Sequence, residues 1–198
     1  MLTKLKAKVQ SAIAVQAELT YKAGLTPNAV SFIGIVFAFF SALVYAMGRV
    51  ILPLAAALLL FSGYCDVLDG AIARICNMAT PMGGFLDSLL DRYADSAVFI
   101  GILLSGLCNF LWVSMALVGS LLVSYTRARA ESINIKMESV GIAERAERII
   151  IIFFASIAGH FWAEAFEAGI ILLAALTNLT VVQRSLHVYR ILKKTEGS

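Results

Sequence analysis

Apolar runs approaching the length of a membrane-crossing helix recur along this chain, and that limits its folding more than any other feature. About 20 residues of helix cross the roughly 30 Å hydrocarbon layer, where every backbone N–H and C=O must be bonded within the segment. Of the 198 residues 60% are hydrophobic and 15% charged, with a mean hydropathy of +0.86, which excludes a soluble domain. The expected fold is a single all-α integral membrane domain over residues 1–198. An amphipathic interfacial helix is expected over about 2–21, followed by six transmembrane helices over about 28–47, 50–75, 82–107, 110–130, 144–159 and 165–192. Leu2, Leu5, Val9 and Ile13 share one side of the first segment, with Lys4, Lys6 and Lys8 elsewhere, as in a helix lying on a membrane surface. The helix starts are marked by Thr26-Pro27 and Thr80-Pro81, each an N-cap followed by proline at the first helical position. Gly48-Arg49, Cys108-Asn109 and Gly141 mark turns.

Lysine and arginine give the orientation. With the N-terminus inside, the turns on the far side hold only Arg49, and the other basic residues gather on the cytoplasmic side or in helices near it. This predicts a multi-pass cell-membrane protein with both termini cytoplasmic. A net charge of +3, with the basic residues at helix ends, argues for membrane anchoring and against nucleic acid. Cys65, Cys76 and Cys108 are scattered and odd in number, so no disulfide framework is expected. The start MLTKLKAKVQ lacks the compact apolar core of a cleaved leader, so the first membrane helix is expected to be retained.

One stretch breaks the apolar pattern: DVLDGAIARICNMATPMGGFLDSLLD, Asp66 to Asp91. Asp66, Asp69, Gly70, Ala73 and Arg74 lie at i, i+3, i+4, i+7 and i+8 of one helical face, and Gly83, Asp87 and Asp91 at i, i+4 and i+8 of another. Antiparallel packing of the two segments would bring the carboxylates together across a cleft opening toward the cytoplasm. Four aspartates left alone in a membrane cost on the order of 10 kcal/mol. Arg74 can neutralise one, leaving a demand for divalent cations. Oxygen donors without histidine or paired cysteine suit hard ions such as Mg²⁺, Mn²⁺ or Ca²⁺. A purely structural carboxylate–arginine network is the alternative.

The spacing DxxDGxxARx8GxxxDxxxD, complete in Asp66, Asp69, Gly70, Ala73, Arg74, Gly83, Asp87 and Asp91, resembles the CDP-alcohol phosphotransferase family. The resemblance implies a six-helix membrane enzyme that displaces CMP from a CDP-lipid, CDP-diacylglycerol or CDP-archaeol, with an alcohol, using two divalent ions (Mg²⁺ or Mn²⁺). It makes Asp66, Asp69, Asp87 and Asp91 the metal ligands and Asp91 also the base for the attacking hydroxyl. Gly70, Ala73 and Gly83 lack bulk, so a nucleotide fits against the helix backbones. Arg74 is then a phosphate partner, and Thr80 and Asn28 are candidates for ribose or base contacts. Asp95 continues the spacing outside the motif and reads as a helix-contact residue.

A second polar cluster pairs SYTRARAES, Ser124 to Ser132, with GIAERAER, Gly141 to Arg148. The positive-inside rule alone would account for its charges. The sharper reading makes Arg127, Arg145 and Arg148, with Arg184 from the last helix, a site for a phosphate on the acceptor alcohol. The pairing is similar to the branch of the family that uses inositol 1-phosphate. Glycerol 3-phosphate as acceptor is the nearest alternative. A cation transporter is the rival from another class, but its polar path would have to continue where the helices turn apolar. His160 and His187 are isolated and read as polar packing, Met78 and Met82 as lipid-facing or gap-filling residues. Gly34, Gly101 and Gly119 suit close helix approach, within the chain or across the homodimer that the resemblance implies.

Overall fold

The computed structural model describes residues 2–137 and 140–196, with the side chains of 2–11, 195 and 196 outside the description. Among the described residues all regular structure is helical: α1 (Leu2–Lys22), α2 (Pro27–Ala46), a 3-10 turn (Arg49–Ile51), α3 (Leu52–Ile75), α4 (Pro81–Leu104), α5 (Phe110–Glu131), α6 (Arg145–Phe161) and α7 (Ala163–Glu196). Of the residues that predict an interfacial α1, Leu2, Leu5, Val9, Lys4, Lys6 and Lys8 have side chains outside the description, and Ile13 is half-buried against the core that α1 shares with α2 and α3.

The starts follow the expected local chemistry. Thr26 accepts a hydrogen bond from Ala29 N ahead of Pro27, and Thr80 accepts one from Gly83 N ahead of Pro81, each satisfying a helix-start donor with no helical partner. At the end of α3, Asn77 takes a left-handed conformation (φ 54°) and Met78 N donates to Ala73 O, which reverses the chain into α4. The α4 helix stops at Leu104, three residues before the expected end, because Gly106 turns to φ 68° and Ser105 binds the last carbonyls.

Among the described residues, four helical segments are long and apolar enough to cross a bilayer: α2, the 3-10 turn with α3, α5 and α7. The α4 helix carries Asp87, Asp91, Arg92 and Asp95 in its first half, and α6 has 17 residues. Both are nevertheless packed within the bundle, α4 on α2 and α5, α6 on α3 and α7. The main core lies away from the acidic stretch and contains Tyr45, Leu52, Phe99, Ile102, Phe166 and Leu173. The Tyr45 hydroxyl and Ser156 Oγ, 2.8 Å apart, satisfy one another inside it. Arg49 closes the same end by donating to Gly159 O at 2.9 Å and Phe161 O at 2.8 Å, so its charge sits on the carbonyl end of α6. A smaller core of Ala17, Val30, Cys65, Leu68 and Ile72 fastens α1 and α2 to α3 beside the acidic stretch.

The three glycines all serve contacts within the chain. A Cβ on Gly34 would lie 2.9 Å from Cys65 Cβ, one on Gly119 would strike Thr177, and one on Gly101 would strike the Ala42 backbone. These positions set the α2–α3, α5–α7 and α2–α4 separations. The three cysteines are free.

Candidate active site

Asp66 and Asp69 on α3 and Asp87 on α4 converge: one carboxylate oxygen from each lies within 4.8 Å of the other two. Gly34 lets α2 approach α3 behind them, and Ser31 on α2 completes the wall. Asp69 is buried, at 5% exposure, and accepts a hydrogen bond from Ser31 Oγ at 2.5 Å. Three carboxylates this close repel strongly where water is scarce, and an all-oxygen donor set of this size fits a hard divalent cation. The cavity they line, about 20 Å³, is the size of one small ion or water.

Asp91 stands one turn further along α4 and is joined to the cluster by a side chain that motif spacing does not reveal. Arg145, the first residue of α6, places Nη1 2.7 Å from Asp66 Oδ1 and 2.6 Å from Asp91 Oδ1, with Nε 3.5 Å from Asp95 Oδ1. The guanidinium is buried and its partners among the described residues are all carboxylates, so it is held there by charge. Arg148, one turn later on α6, is bound differently. It donates to Asp95 Oδ2 at 2.6 Å and to Ala143 O at 3.3 Å and is 3% exposed. Asp95 is therefore the α4 anchor for α6.

A cleft of about 220 Å³ opens on one side of the carboxylates, lined by Asn28, Gly70, Ala73, Arg74, Thr80 and Gly83 and sharing Ser31, Asp69 and Asp87 with the small cavity. Arg74 makes no ion pair among the described residues, so its charge is available to an anion. A Cβ at Gly70 would sit 3.2 Å from Arg74 Nη1, and one at Gly83 3.0 Å from Thr80 Oγ1, so both glycines keep the cleft floor low.

On the other side lies a second cavity of about 230 Å³, lined by Arg127, Arg145, Arg148 and Arg184 and sharing only Asp91 and Arg145 with the small one. The four arginines named from the sequence thus meet in one place, with unequal freedom. Arg127 is exposed and pairs with Glu131 at 2.9 Å. Arg184 is 2% exposed and donates to Val140 O, Val123 O and Glu144 Oε1, using three of a guanidinium's five N–H groups to hold the 140–144 segment against α5. Gly141, at φ 116°, is part of that segment, and a Cβ there would strike Thr180. Ser31 and the cluster contacts of Arg145 lie outside the motif. The one signal for Ser31 is its place one turn after Asn28, on the face of α2 turned toward α3.

The chain as a whole has counterparts among known proteins. Residues 24–182 match the family model described as CDP-alcohol phosphatidyltransferase. The chain is 51% identical over 150 residues, 75% of each chain, to the archaetidylinositol phosphate synthase of Methanothermobacter thermautotrophicus. It is 37% identical over 196 residues, 99% of each chain, to the enzyme of that name from Pyrococcus horikoshii. Its structure resembles that of the Mycobacterium tuberculosis phosphatidylinositol phosphate synthase crystallised with CDP-DAG bound, with a TM-score of 0.78 and 33% identity over 89% of this chain and 93% of that one. The mycobacterial enzyme has also been crystallised with manganese and citrate, with the same TM-score and identity over 89% of this chain and 88% of that one.

Proposed function

The chain belongs to the CDP-alcohol phosphatidyltransferase family, and on that premise we propose that it joins the phosphatidyl or archaetidyl group of a CDP-lipid to inositol 1-phosphate, releasing CMP. The observation that carries this reading is the position of the carboxylate cluster between two cavities, one open to Arg74 and the other lined by five arginines against four carboxylates. Donor and acceptor then meet at Asp91, the boundary of the second cavity.

CDP-diacylglycerol or CDP-archaeol lies in the first cleft, its nucleotide over Gly70, Ala73 and Gly83 beside Asn28 and Thr80, with Arg74 against a phosphate oxygen. Asp66, Asp69, Asp87 and Asp91 hold two divalent ions, Mg²⁺ or Mn²⁺. Bound there, the ions supply charge stabilisation to the pyrophosphate oxygens. Inositol 1-phosphate occupies the second cavity, its phosphate among Arg127, Arg145, Arg148 and Arg184 and its free hydroxyl toward Asp91. That hydroxyl oxygen attacks the lipid-bearing phosphorus, and the bond from this phosphorus to the bridging oxygen breaks. CMP leaves with the bridging oxygen, and Asp91 takes the hydroxyl proton. The acceptor's own phosphate is a handle and does not react.

The protein is a multi-pass membrane protein. We place it with six spans, α4 and α6 completing the four apolar segments, α1 in the interface, and both termini with the active site in the cytoplasm, as the positive-inside bias requires. A homodimer belongs to the same proposal, tested by the mass of the detergent-purified protein.

The reaction is tested by CMP release from the purified protein with Mg²⁺ or Mn²⁺, a CDP-lipid, and inositol 1-phosphate, glycerol 3-phosphate, inositol or serine in separate reactions. Release that requires inositol 1-phosphate is expected. Release with glycerol 3-phosphate instead would reassign the second cavity, and none with any acceptor would overturn the reading.

A further inference from the structure

We propose that Arg145 is a tethered counter-cation: it holds Asp66 and Asp91 together in the metal-free protein and is released into the arginine-lined cavity when the carboxylates take up metal. Metal loading then completes the acceptor site. The inference rests on the proposed function for what enters that cavity, but its first test does not.

Three observations carry it. Arg145 Nη1 lies between Asp66 Oδ1 and Asp91 Oδ1, at 2.7 and 2.6 Å, where a cation shared by these two carboxylates would sit. Its partners among the described residues are all carboxylates, Asp66, Asp91 and Asp95, with no backbone carbonyl fastening it, so a competing cation displaces contacts to the very groups it would bind. Arg148 and Arg184, by contrast, are fastened to backbone carbonyls as well as carboxylates. Arg145 also lines both the small carboxylate cavity and the larger arginine-lined one, so its charge stands at the boundary between them.

Charge counting agrees. Asp66, Asp69, Asp87, Asp91 and Asp95 face Arg92, Arg145 and Arg148, and five carboxylates against three guanidiniums leave a formal charge of −2. That balances one divalent ion at Asp66, Asp69 and Asp87. A second ion, reaching Asp91, competes with Arg145. Once released, Arg145 adds a positive charge to the cavity that Arg127, Arg148 and Arg184 already line. Metal and acceptor phosphate therefore favour one another, by the same factor in each direction.

The test is Mn²⁺ binding to the purified, substrate-free protein, followed by the paramagnetic signal of free Mn²⁺. Wild type is expected to bind one ion tightly and a second more weakly, and inorganic phosphate is expected to tighten the second. Arg145→Gln is expected to tighten the second site about tenfold, since the competitor's share of the site is removed, and to abolish the phosphate effect. Arg92→Gln removes a charge 3.6 Å from Asp91 without occupying the gap, and is expected to change the second site far less. An unchanged isotherm in Arg145→Gln, or equal tightening in Arg92→Gln, would overturn the proposal. A wild-type measurement guards against misfolding of the variant. Arginine-specific modification by phenylglyoxal, read by peptide mass spectrometry, is expected to label Arg145 several-fold faster with Mn²⁺, and no acceleration would refute release. Failure of the acceptor assignment alone would appear as phosphate indifference in wild type with the Arg145→Gln tightening intact.

Discussion

Ser31→Ala removes one oxygen and tests whether the buried carboxylate is positioned by its neighbour. Ser31 Oγ lies 2.5 Å from Asp69 Oδ2 and 3.1 Å from Pro27 O. A hydroxyl has one proton to give, and the shorter contact to a charged acceptor takes it. A hydrogen bond to a charged group contributes about 1.5–3 kcal/mol, which corresponds to about 10–100-fold in an equilibrium constant. Loss of a partner that orients a metal ligand typically weakens metal affinity over the same range. Ser31→Ala should therefore raise the Kd for the first Mn²⁺ by about 10–100-fold, with Ser31→Thr, which keeps the hydroxyl, much closer to wild type. Titration of the detergent-purified protein without substrate reads this directly, and helical content by circular dichroism checks the fold. A Kd for Ser31→Ala within about twofold of wild type would refute the argument, because a hydrogen bond to a charged group leaves no room for so small an effect if it orients Asp69.

Asp91→Asn should lower turnover by about 10²–10⁴-fold, the range for loss of a general base, while Mn²⁺ still binds at Asp66, Asp69 and Asp87; near-normal turnover removes Asp91 from the proton-accepting role. Arg127→Ala should raise the KM for inositol 1-phosphate about tenfold and leave that for the CDP-lipid nearly unchanged, whereas equal effects on both would make the loop structural. Gly101→Ala drives a methyl into the Ala42 backbone, which cannot yield as a side chain can, and should cost about 1–3 kcal/mol. A thermal-shift assay in detergent should show a lower melting temperature, and an unchanged one would mean that α2 and α4 separate freely.

Much of this was legible in the sequence because its periods are helical. The 3.6-residue spacing of Asp66, Asp69, Asp87 and Asp91 places the carboxylates on facing helices, and Thr-Pro pairs mark the starts of α2 and α4 within one residue. Pairing between distant helices was harder to read, because spacing along one helix carries no information about what another brings to it. The basic neighbours of Arg145 in the sequence point to an acceptor contact, and only the packing of α6 on α3 reveals its reach to Asp66. Ser31 is one hydroxyl in an apolar helix, indistinguishable by type from Ser41, which instead donates to the Ala55 carbonyl. The span count shows the opposite tension: the charges that make α4 chemically informative are those that keep it from qualifying as an apolar span.

The account rests on a hydroxyl attacking the CDP-lipid while the acceptor's phosphate stays bound to arginines. The most direct measurement is to supply inositol 1-phosphate labelled in its phosphate, together with a CDP-lipid and Mn²⁺, and to follow the label into the lipid fraction. The account predicts a labelled lipid that carries one phosphodiester and one phosphomonoester, formed in step with CMP. CMP released while the label stays in the water phase, or a lipid product with a single phosphorus, would contradict it.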